Sequence, residues 1–220
     1  MTIQLSRRNF LFASAALGGG LYLGLRPEAA TAAEAGQLNA FVVIPPSGPI
    51  RIMAPNPEIG QGIRTSLPMV ICEELDADWQ AVEVVPTIAD AKLYGRQVAG
   101  GSMAMPTHYE NMRRVGAAAR AMILQAAATA WGVPVGELTT RNAMVMHGQR
   151  RAPYGQFAVA AAALPAPDAA SVKVKDPKDF RLIGSFQPGV NNRAIVAGRQ
   201  SYGIDAVLPG MVHAAFHKSG

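Results

Sequence analysis

The chain has 220 residues, of which half are hydrophobic and 16% are charged, and its formal net charge is +5. This composition supplies a hydrophobic core for one or two domains and excludes a disordered chain. A mild positive charge with 6% aromatic residues argues against nucleic acid as the main partner. The single cysteine, Cys72, excludes an intrachain disulfide and any iron–sulfur or zinc cluster held by cysteines of this chain.

Residues 1–33 have the features of an export signal. Two consecutive arginines, Arg7 and Arg8, precede an apolar stretch at residues 11–25, and small residues follow up to Ala33. This order is typical of a signal peptide, and the paired arginines are typical of the twin-arginine type. A transmembrane anchor is the alternative, but the stretch is shorter than the ~20 residues of a span and contains glycines. We expect a periplasmic protein, which would be tethered to the membrane if the signal were not cleaved.

Four elements are predicted between residues 41 and 86. Two short apolar runs, residues 41–44 and 50–53, are separated by a turn rich in Pro and Gly and predict a β-hairpin. A helix follows at residues 66–75, and the valines of residues 82–86 predict a further strand. The predicted order is therefore strand, strand, loop, helix, strand.

The predicted helix at residues 66–75 is amphipathic. Thr65 or Ser66 can cap its first turn, and its apolar residues form one stripe. Cys72 lies beside this stripe, which favours a buried structural thiol. Glu73 and Glu74 are expected on the solvated face.

The second half of the chain is predicted to be mainly helical up to residue 164. The longest helix covers residues 109–131, where alanines allow close approach of a neighbouring element, and a second Ala-rich helix covers residues 154–164. A strand is predicted at residues 143–146. Residues 165–193 form a connector rich in Pro, Asp and Lys, and residues 195–216 predict a strand, a turn and a strand.

Two glycine-containing loops precede helices and are candidate binding sites. They are Gly60, Gln61 and Gly62 in the first loop, and Gly100, Gly101 and Ser102 in the second. Glycine lets the backbone approach a ligand, and a helix N-terminus suits an anion such as phosphate. Neither loop has the Rossmann or P-loop pattern, and for each alone a tight turn is the alternative. Together they favour a ligand bound between them.

The four histidines form no convincing metal site. His213 and His217 have the spacing of a helical metal pair, but they lie in a stretch that predicts a strand. His108 and His147 have no obvious partners in the sequence. No Ser/His/Asp arrangement is visible, so we predict no metal ligand and no catalytic residue in this chain.

Several segments together resemble the molybdenum-cofactor-binding large subunit of the xanthine dehydrogenase/aldehyde oxidase superfamily. The likeness is strongest to isoquinoline 1-oxidoreductase beta subunits and related membrane-associated aldehyde dehydrogenases. The matching segments are residues 58–62, 73–76, 94–97 with 100–102, 113–117 and 176–184. The resemblance covers nearly all of residues 38–216.

The resemblance implies an α+β fold. It assigns residues 38–164 to part of a molybdopterin-binding domain with a mixed sheet and Ala-rich helices. Residues 165–193 would connect this domain to the start of an α/β hammerhead domain at residues 194–220. The family's glutamate base, in a Gly-x-Gly-Glu segment, has no counterpart here. We therefore expect an N-terminal part of the large subunit or one piece of a split subunit, inactive alone.

The resemblance also implies cofactors and partners. The cofactor is molybdopterin cytosine dinucleotide with molybdenum, contacted by Gln61 between its glycines and by the second glycine loop at the dinucleotide part. The reaction uses oxygen from water to hydroxylate an N-heterocycle or to oxidise an aldehyde. A small subunit supplies [2Fe–2S] clusters and passes electrons on, in related systems to a c-type cytochrome, and the twin-arginine translocase exports the folded protein. A non-catalytic exported cofactor-binding or assembly protein is the competing hypothesis.

Overall fold

A computed structural model describes residues 41–165, 167 and 171–218, together with the backbone of residues 11–15 and 21–25. The chain divides into two units, residues 1–187 and 188–220. The first unit combines a five-stranded sheet, a three-stranded sheet and helices, which confirms the predicted α+β class. The domain boundaries, including the hammerhead assignment, stay predictions.

The larger sheet is mixed. Its strands, in spatial order, are β1 (Leu11–Ala15), β2 (Leu21–Leu25), β3 (Val42–Ile44), β4 (Arg51–Ala54) and β5 (Glu83–Pro86). Neighbouring strands are antiparallel except β4 and β5, which run parallel with Ile52 opposite Val84. The predicted hairpin is therefore confirmed as β3 and β4, and the predicted third strand as β5.

Strands β1 and β2 fall inside the residues predicted to be an export signal, and β2 pairs with β3. Pairing within a sheet does not test export, so the signal stays a prediction. Among the helices that the structure describes, none combines the length and the apolar character needed to cross a membrane.

Helices pack against the larger sheet, and the smaller sheet lies in the chain between the third and fourth of these helices. The helices are α1 (Ile63–Leu75), α2 (Ala91–Tyr94), α3 (Ala104–Trp131) and α4 (Gly155–Ala162), and α5 (Asn192–Val196) lies in the second unit. The smaller sheet is antiparallel and contains β6 (Thr139–Arg141), β7 (Met144–His147) and β8 (Arg150–Pro153). α1 connects the parallel strands β4 and β5, so the first unit contains a β–α–β arrangement.

The predicted cap of α1 was wrong. The helix begins at Ile63 with Gly62 as its N-cap, and Gly62 has a φ of 83°. A left-handed glycine turns the chain into the helix earlier than the side-chain pattern suggested. Ser66 then lies inside the helix, where its hydroxyl donates to the Gly62 carbonyl oxygen at 3.1 Å.

The strands predicted at residues 195–216 are also wrong. α5 covers part of this range, and the residues described between 197 and 218 contain no strand. The side chains of Ile204 and Phe216 are each 93% exposed. A strand needs a hydrogen-bonding neighbour and a surface to pack on, and the described part of the second unit provides neither.

α1 and α3 approach to backbone contact at Gly116. A Cβ added at this position would overlap the carbonyl oxygen of Ile71 and lie 2.9 Å from Cβ of Glu74. The neighbouring Ala118 and Ala119 are fully buried. The close approach predicted from the alanines is therefore confirmed, and Gly116 is the residue that sets it.

Glu73 and Glu74 do not lie on a solvated face, as the helical pattern predicted; they are 3% and 0% exposed. Glu74 accepts from Arg113 Nε at 2.8 Å and from the Lys175 backbone N–H at 2.9 Å. Arg113 in turn lies over the ring of Phe180 at 5.1 Å. A charged side chain can be buried when it is paired with an opposite charge and hydrogen-bonded. For Glu74, Arg113 and Lys175 supply these partners, and both are distant from it in sequence.

The Glu73 carboxylate holds residues 175–183, which lie within the predicted connector. It accepts from Lys175 Nζ at 2.7 Å and from the backbone N–H groups of Arg181, Leu182 and Ile183 at 2.8, 2.6 and 3.2 Å. Burial works to raise the pKa of Glu73, but Lys175 and these N–H groups outweigh it and hold the pKa below the ordinary 4.5. This charged contact therefore fixes residues 175–183 against α1.

We predict that Gly116→Ala destabilises the fold by about 1–3 kcal/mol, because the added methyl group must push α1 and α3 apart. Gly136→Ala is the matched control, since a Cβ there meets no atom within 4 Å. We expect that control to be neutral or slightly stabilising. Urea unfolding of both variants measures the difference, and equal stabilities would contradict the close contact.

We predict that Glu73→Gln lowers the free energy of unfolding at pH 7 by about 2–3 kcal/mol, since it removes charge-assisted hydrogen bonds. A carboxylate whose pKa is lower in the folded protein stabilises it fully above the unfolded value of 4.5, and this stabilisation is lost as the pH falls through the folded value.

Urea unfolding from pH 7 down to about pH 3 should therefore show a shallower acid loss in Glu73→Gln than in the wild type. Glu83→Gln, at an exposed glutamate of β5, should keep the wild-type profile. Parallel profiles for Glu73→Gln and the wild type would show that the Glu73 charge does not stabilise the fold.

Candidate functional site

Both predicted glycine loops lie at the edge of the larger sheet where the parallel strands end. The first loop connects β4 to α1, and the second connects α2 to α3. Hydrogen bonds from Gln97 to the carbonyl oxygens of Pro55 and Ile88 hold the start of the second loop near the ends of β4 and β5. Ligands of parallel sheets bind outside the carboxyl ends of the strands. The structure therefore brings the two loops to the place where such a fold binds a ligand.

Gln97 ties the bases of the two loops together. Its Nε2 lies 2.8 Å from the Pro55 carbonyl oxygen and 2.9 Å from that of Ile88, and its Oε1 accepts from the Asp90 N–H at 2.6 Å. The sequence placed Gln97 in a family-like segment but gave it no role. No local spacing indicates these bonds, because the Pro55 partner is 42 residues away.

The first glycine loop is shaped around Glu58. Its carboxylate accepts from the N–H groups of Gly60 and Gly62 at 2.8 and 3.0 Å, and from Arg64 at 2.9 Å. Burial works to raise the pKa of Glu58, but these N–H donors and the Arg64 charge lower it below 4.5. The N-terminus of α1 already faces a carboxylate, so the expectation of a phosphate at these N–H groups does not hold.

Gln61 folds back onto its own loop. Its Oε1 accepts from the Ile59 N–H at 2.7 Å, and its Nε2 donates to the Pro57 carbonyl oxygen at 2.9 Å. An amide has two N–H donors and two oxygen lone pairs, so one of each remains for a ligand. The side chain is exposed, and a Cβ at Gly60 or Gly62 would meet no atom within 4 Å. The surface above this loop is therefore open.

The second glycine loop leaves a helix N-terminus without a carboxylate. Gly100, Gly101 and Ser102 are exposed, and Gly101 and Ser102 have φ angles of 59° and 55°. Met103 caps α3 with no side-chain hydrogen bond, and the first turn has no acidic residue. The N-terminus of a helix attracts anions. Of the two loops, the second is therefore the one suited to a phosphate.

A small pocket lies beside the second loop, between the segment that follows β4 and the start of α3. It is lined by the start of α3 and by Asn56, Arg96, Val98, Met103, Thr107 and His108. Asn56 is 5% exposed and donates through Nδ2 to the Val98 carbonyl oxygen at 3.2 Å. Its Oδ1 is the one buried side-chain oxygen or nitrogen with no hydrogen-bond partner among the described residues.

The remaining candidate residues have structural partners. His108 is buried and lies with Nε2 3.0 Å from the Arg96 carbonyl oxygen, and His147 pairs with Glu137 at 2.9 Å. Neither partner was evident from the sequence. Cys72 is fully buried, as predicted, and burial raises its pKa to about 12. In the part of the chain that the structure describes, no group of three or more His, Cys, Asp or Glu residues could hold a metal ion.

Comparison with known proteins shows the family of the chain. Residues 10–197 match the family model of a molybdopterin cofactor-binding domain. The chain is 31% identical to the beta subunit of isoquinoline 1-oxidoreductase from Brevundimonas diminuta over 97% of its own length and 33% of the relative's.

Two further relatives are more distant. A membrane-bound aldehyde dehydrogenase of Gluconacetobacter polyoxogenes, whose name specifies pyrroloquinoline quinone, is 29% identical over 96% of this chain and 29% of its own length. The B subunit of nicotinate dehydrogenase from Pseudomonas putida is 27% identical over 80% of this chain and 15% of its own. The chain thus spans a third or less of these relatives. By its molybdopterin cofactor-binding domain, the chain belongs to the xanthine dehydrogenase/aldehyde oxidase family.

Proposed function

We propose that this chain is the cofactor-binding portion of the large subunit of a periplasmic molybdenum hydroxylase carrying molybdopterin cytosine dinucleotide. The main support is the placement of two open glycine loops at the carboxyl ends of β4 and β5, one of them at an uncompensated helix N-terminus. Family membership makes the cofactor a molybdenum pterin. Periplasmic location, the cytosine dinucleotide form and the substrate belong to the proposal.

The residues present fit such a cofactor. A Cβ added at Gly60 or Gly62 would meet no atom within 4 Å, so the surface above these glycines is open. The amide of Gln61 keeps a free donor and a free acceptor for the polar edge of a pterin. A phosphate fits the second loop and not the first, because Glu58 would repel an anion at α1. We therefore assign the dinucleotide part to Gly100, Gly101 and Ser102.

The proposed reaction is the hydroxylation of an N-heterocycle or the oxidation of an aldehyde, in line with the names of the relatives. When bound, the cofactor supplies the redox step in which an oxygen from water enters the substrate. The residues of this chain bind and orient the cofactor. We assign proton transfer from the substrate to residues of the assembled large subunit outside this chain.

The proposal includes partner subunits, since two of the relatives are named as individual subunits, beta and B. A small subunit would carry [2Fe–2S] clusters and pass electrons to a c-type cytochrome. The paired arginines Arg7 and Arg8 support twin-arginine export of the folded, loaded protein.

We predict that the native complex, purified from the periplasm, contains molybdenum and releases cytosine nucleotide and a pterin on extraction. Metal analysis and chromatography of the extract measure both, and pyrroloquinoline quinone should be sought in the same extract. A complex with neither molybdenum nor pterin would refute the proposed function. A loaded complex that oxidises neither heterocycles nor aldehydes would favour a non-catalytic binding or assembly protein.

We predict that Gln61→Ala in the complete complex lowers the molybdenum and pterin content severalfold, because the loop loses its amide contacts. Gln80→Ala, at another exposed glutamine, should leave both contents unchanged. Circular dichroism of the two variants checks that the fold is intact. Wild-type cofactor content in Gln61→Ala would show that the Gln61 side chain does not help to retain the cofactor.

A further inference from the structure

We propose that Asn56 is a cofactor-contacting residue, and that the pocket beside the second glycine loop receives one hydroxyl or amino group of the bound pterin dinucleotide. This inference rests on the proposed function and adds to it a binding residue outside both glycine loops. The pocket lies at the same carboxyl edge of β4 and β5 and opens beside the start of α3.

The buried oxygen of Asn56 lacks a donor. Asn56 is 5% exposed, and its Oδ1 has no hydrogen-bond partner in the part of the chain that the structure describes. The bond from Nδ2 to the Val98 carbonyl oxygen, at 3.2 Å, leaves Oδ1 as the end of the amide without a donor among the described residues, and Asn56 lines the pocket. An unsatisfied buried acceptor is costly and calls for an explanation. A ligand donor that enters the pocket satisfies it.

The charges around the pocket define which donor fits. Its lining contains the cationic Arg96 but no carboxylate, and the N-terminus of α3 adds a partial positive charge. An ammonium group would be repelled there. A neutral hydroxyl or amino group next to a phosphate satisfies both the acceptor and the positive surroundings, and a pterin dinucleotide carries such groups.

The walls of the pocket are fixed before a ligand arrives. The carbonyl oxygens of Arg96 and Val98 are held by His108 and Asn56, and Gln97 between them is bonded to Pro55. A preformed pocket loses little conformational freedom on binding. The space admits only a water-sized group, which restricts the occupant to a single functional group and not a ring.

The test compares cofactor content in the native complex among three variants. Asn56→Leu removes the acceptor with little change in volume, and we expect molybdenum and pterin per subunit to fall about three- to tenfold. Asn56→Gln keeps the amide donor and acceptor without adding a charge and should retain more cofactor than Asn56→Leu. Gln125→Leu makes the same change of an amide to leucine at an exposed residue of α3 outside the pocket and should retain the wild-type content.

The possible outcomes separate this inference from the proposed function. A wild-type complex without molybdenum and pterin refutes both, whereas wild-type content in Asn56→Leu refutes the Asn56 contact alone and indicates that water fills the pocket. Equal losses in Asn56→Leu and Gln125→Leu also refute it, because the loss would then not depend on the pocket. If Asn56→Leu does not fold, Asn56→Ala decides: a fall in cofactor content supports the contact, and wild-type content contradicts it.

Discussion

The contact between α1 and α3, with the carboxylates of Glu73 and Glu74 sealed beside it, is the constraint on which the rest of the first unit depends. Gly116 lets the helices approach to backbone distance. Glu74 pairs with Arg113 on α3, and Glu73 holds the backbone of residues 181–183. Each glycine loop ends at the N-terminus of one of these helices. The packing of α1 on α3 therefore determines how the two loops are presented to a ligand.

A buried carboxylate is tolerated only if its lost hydration is replaced. Glu73 meets this condition with three backbone N–H groups and the Lys175 ammonium group. Asp76, at the end of the same helix, accepts from Lys175 at 2.5 Å and from Thr140 and Arg120 at 2.5 and 3.2 Å. α1, α3, β6 and residues 175–183 thus share one charged network.

The two helix N-termini at the carboxyl edge of the sheet differ in their electrostatics: a carboxylate neutralises the N-terminus of α1, and none neutralises that of α3. Glu58 neutralises α1 within its own loop, whereas α3 starts at Met103 without a carboxylate. A ligand with one neutral polar part and one anionic part is oriented by this difference. A pterin dinucleotide, the proposed cofactor, has this polarity.

The sequence by itself determined the local features of this protein. Apolar runs and turn residues predicted β3, β4 and β5, alanine spacing predicted α3, and the glycine loops with their flanking segments indicated the family. These features depend on neighbours a few residues apart, which a pattern can represent. The hydrogen bonds of Glu58 are equally local, since they span two to six residues. The sequence spacing could have indicated them, although they were not predicted.

Only the tertiary structure decided which polar groups are buried and with what partners. Glu73 and Glu74 have the helical positions of a solvated face, and their burial follows from Arg113 on α3 and from Lys175, 101 residues from Glu74. Asn56 and Gln97 act through contacts 42 residues apart. Helical periodicity measures which residues share a face, but it cannot tell whether a distant segment covers that face.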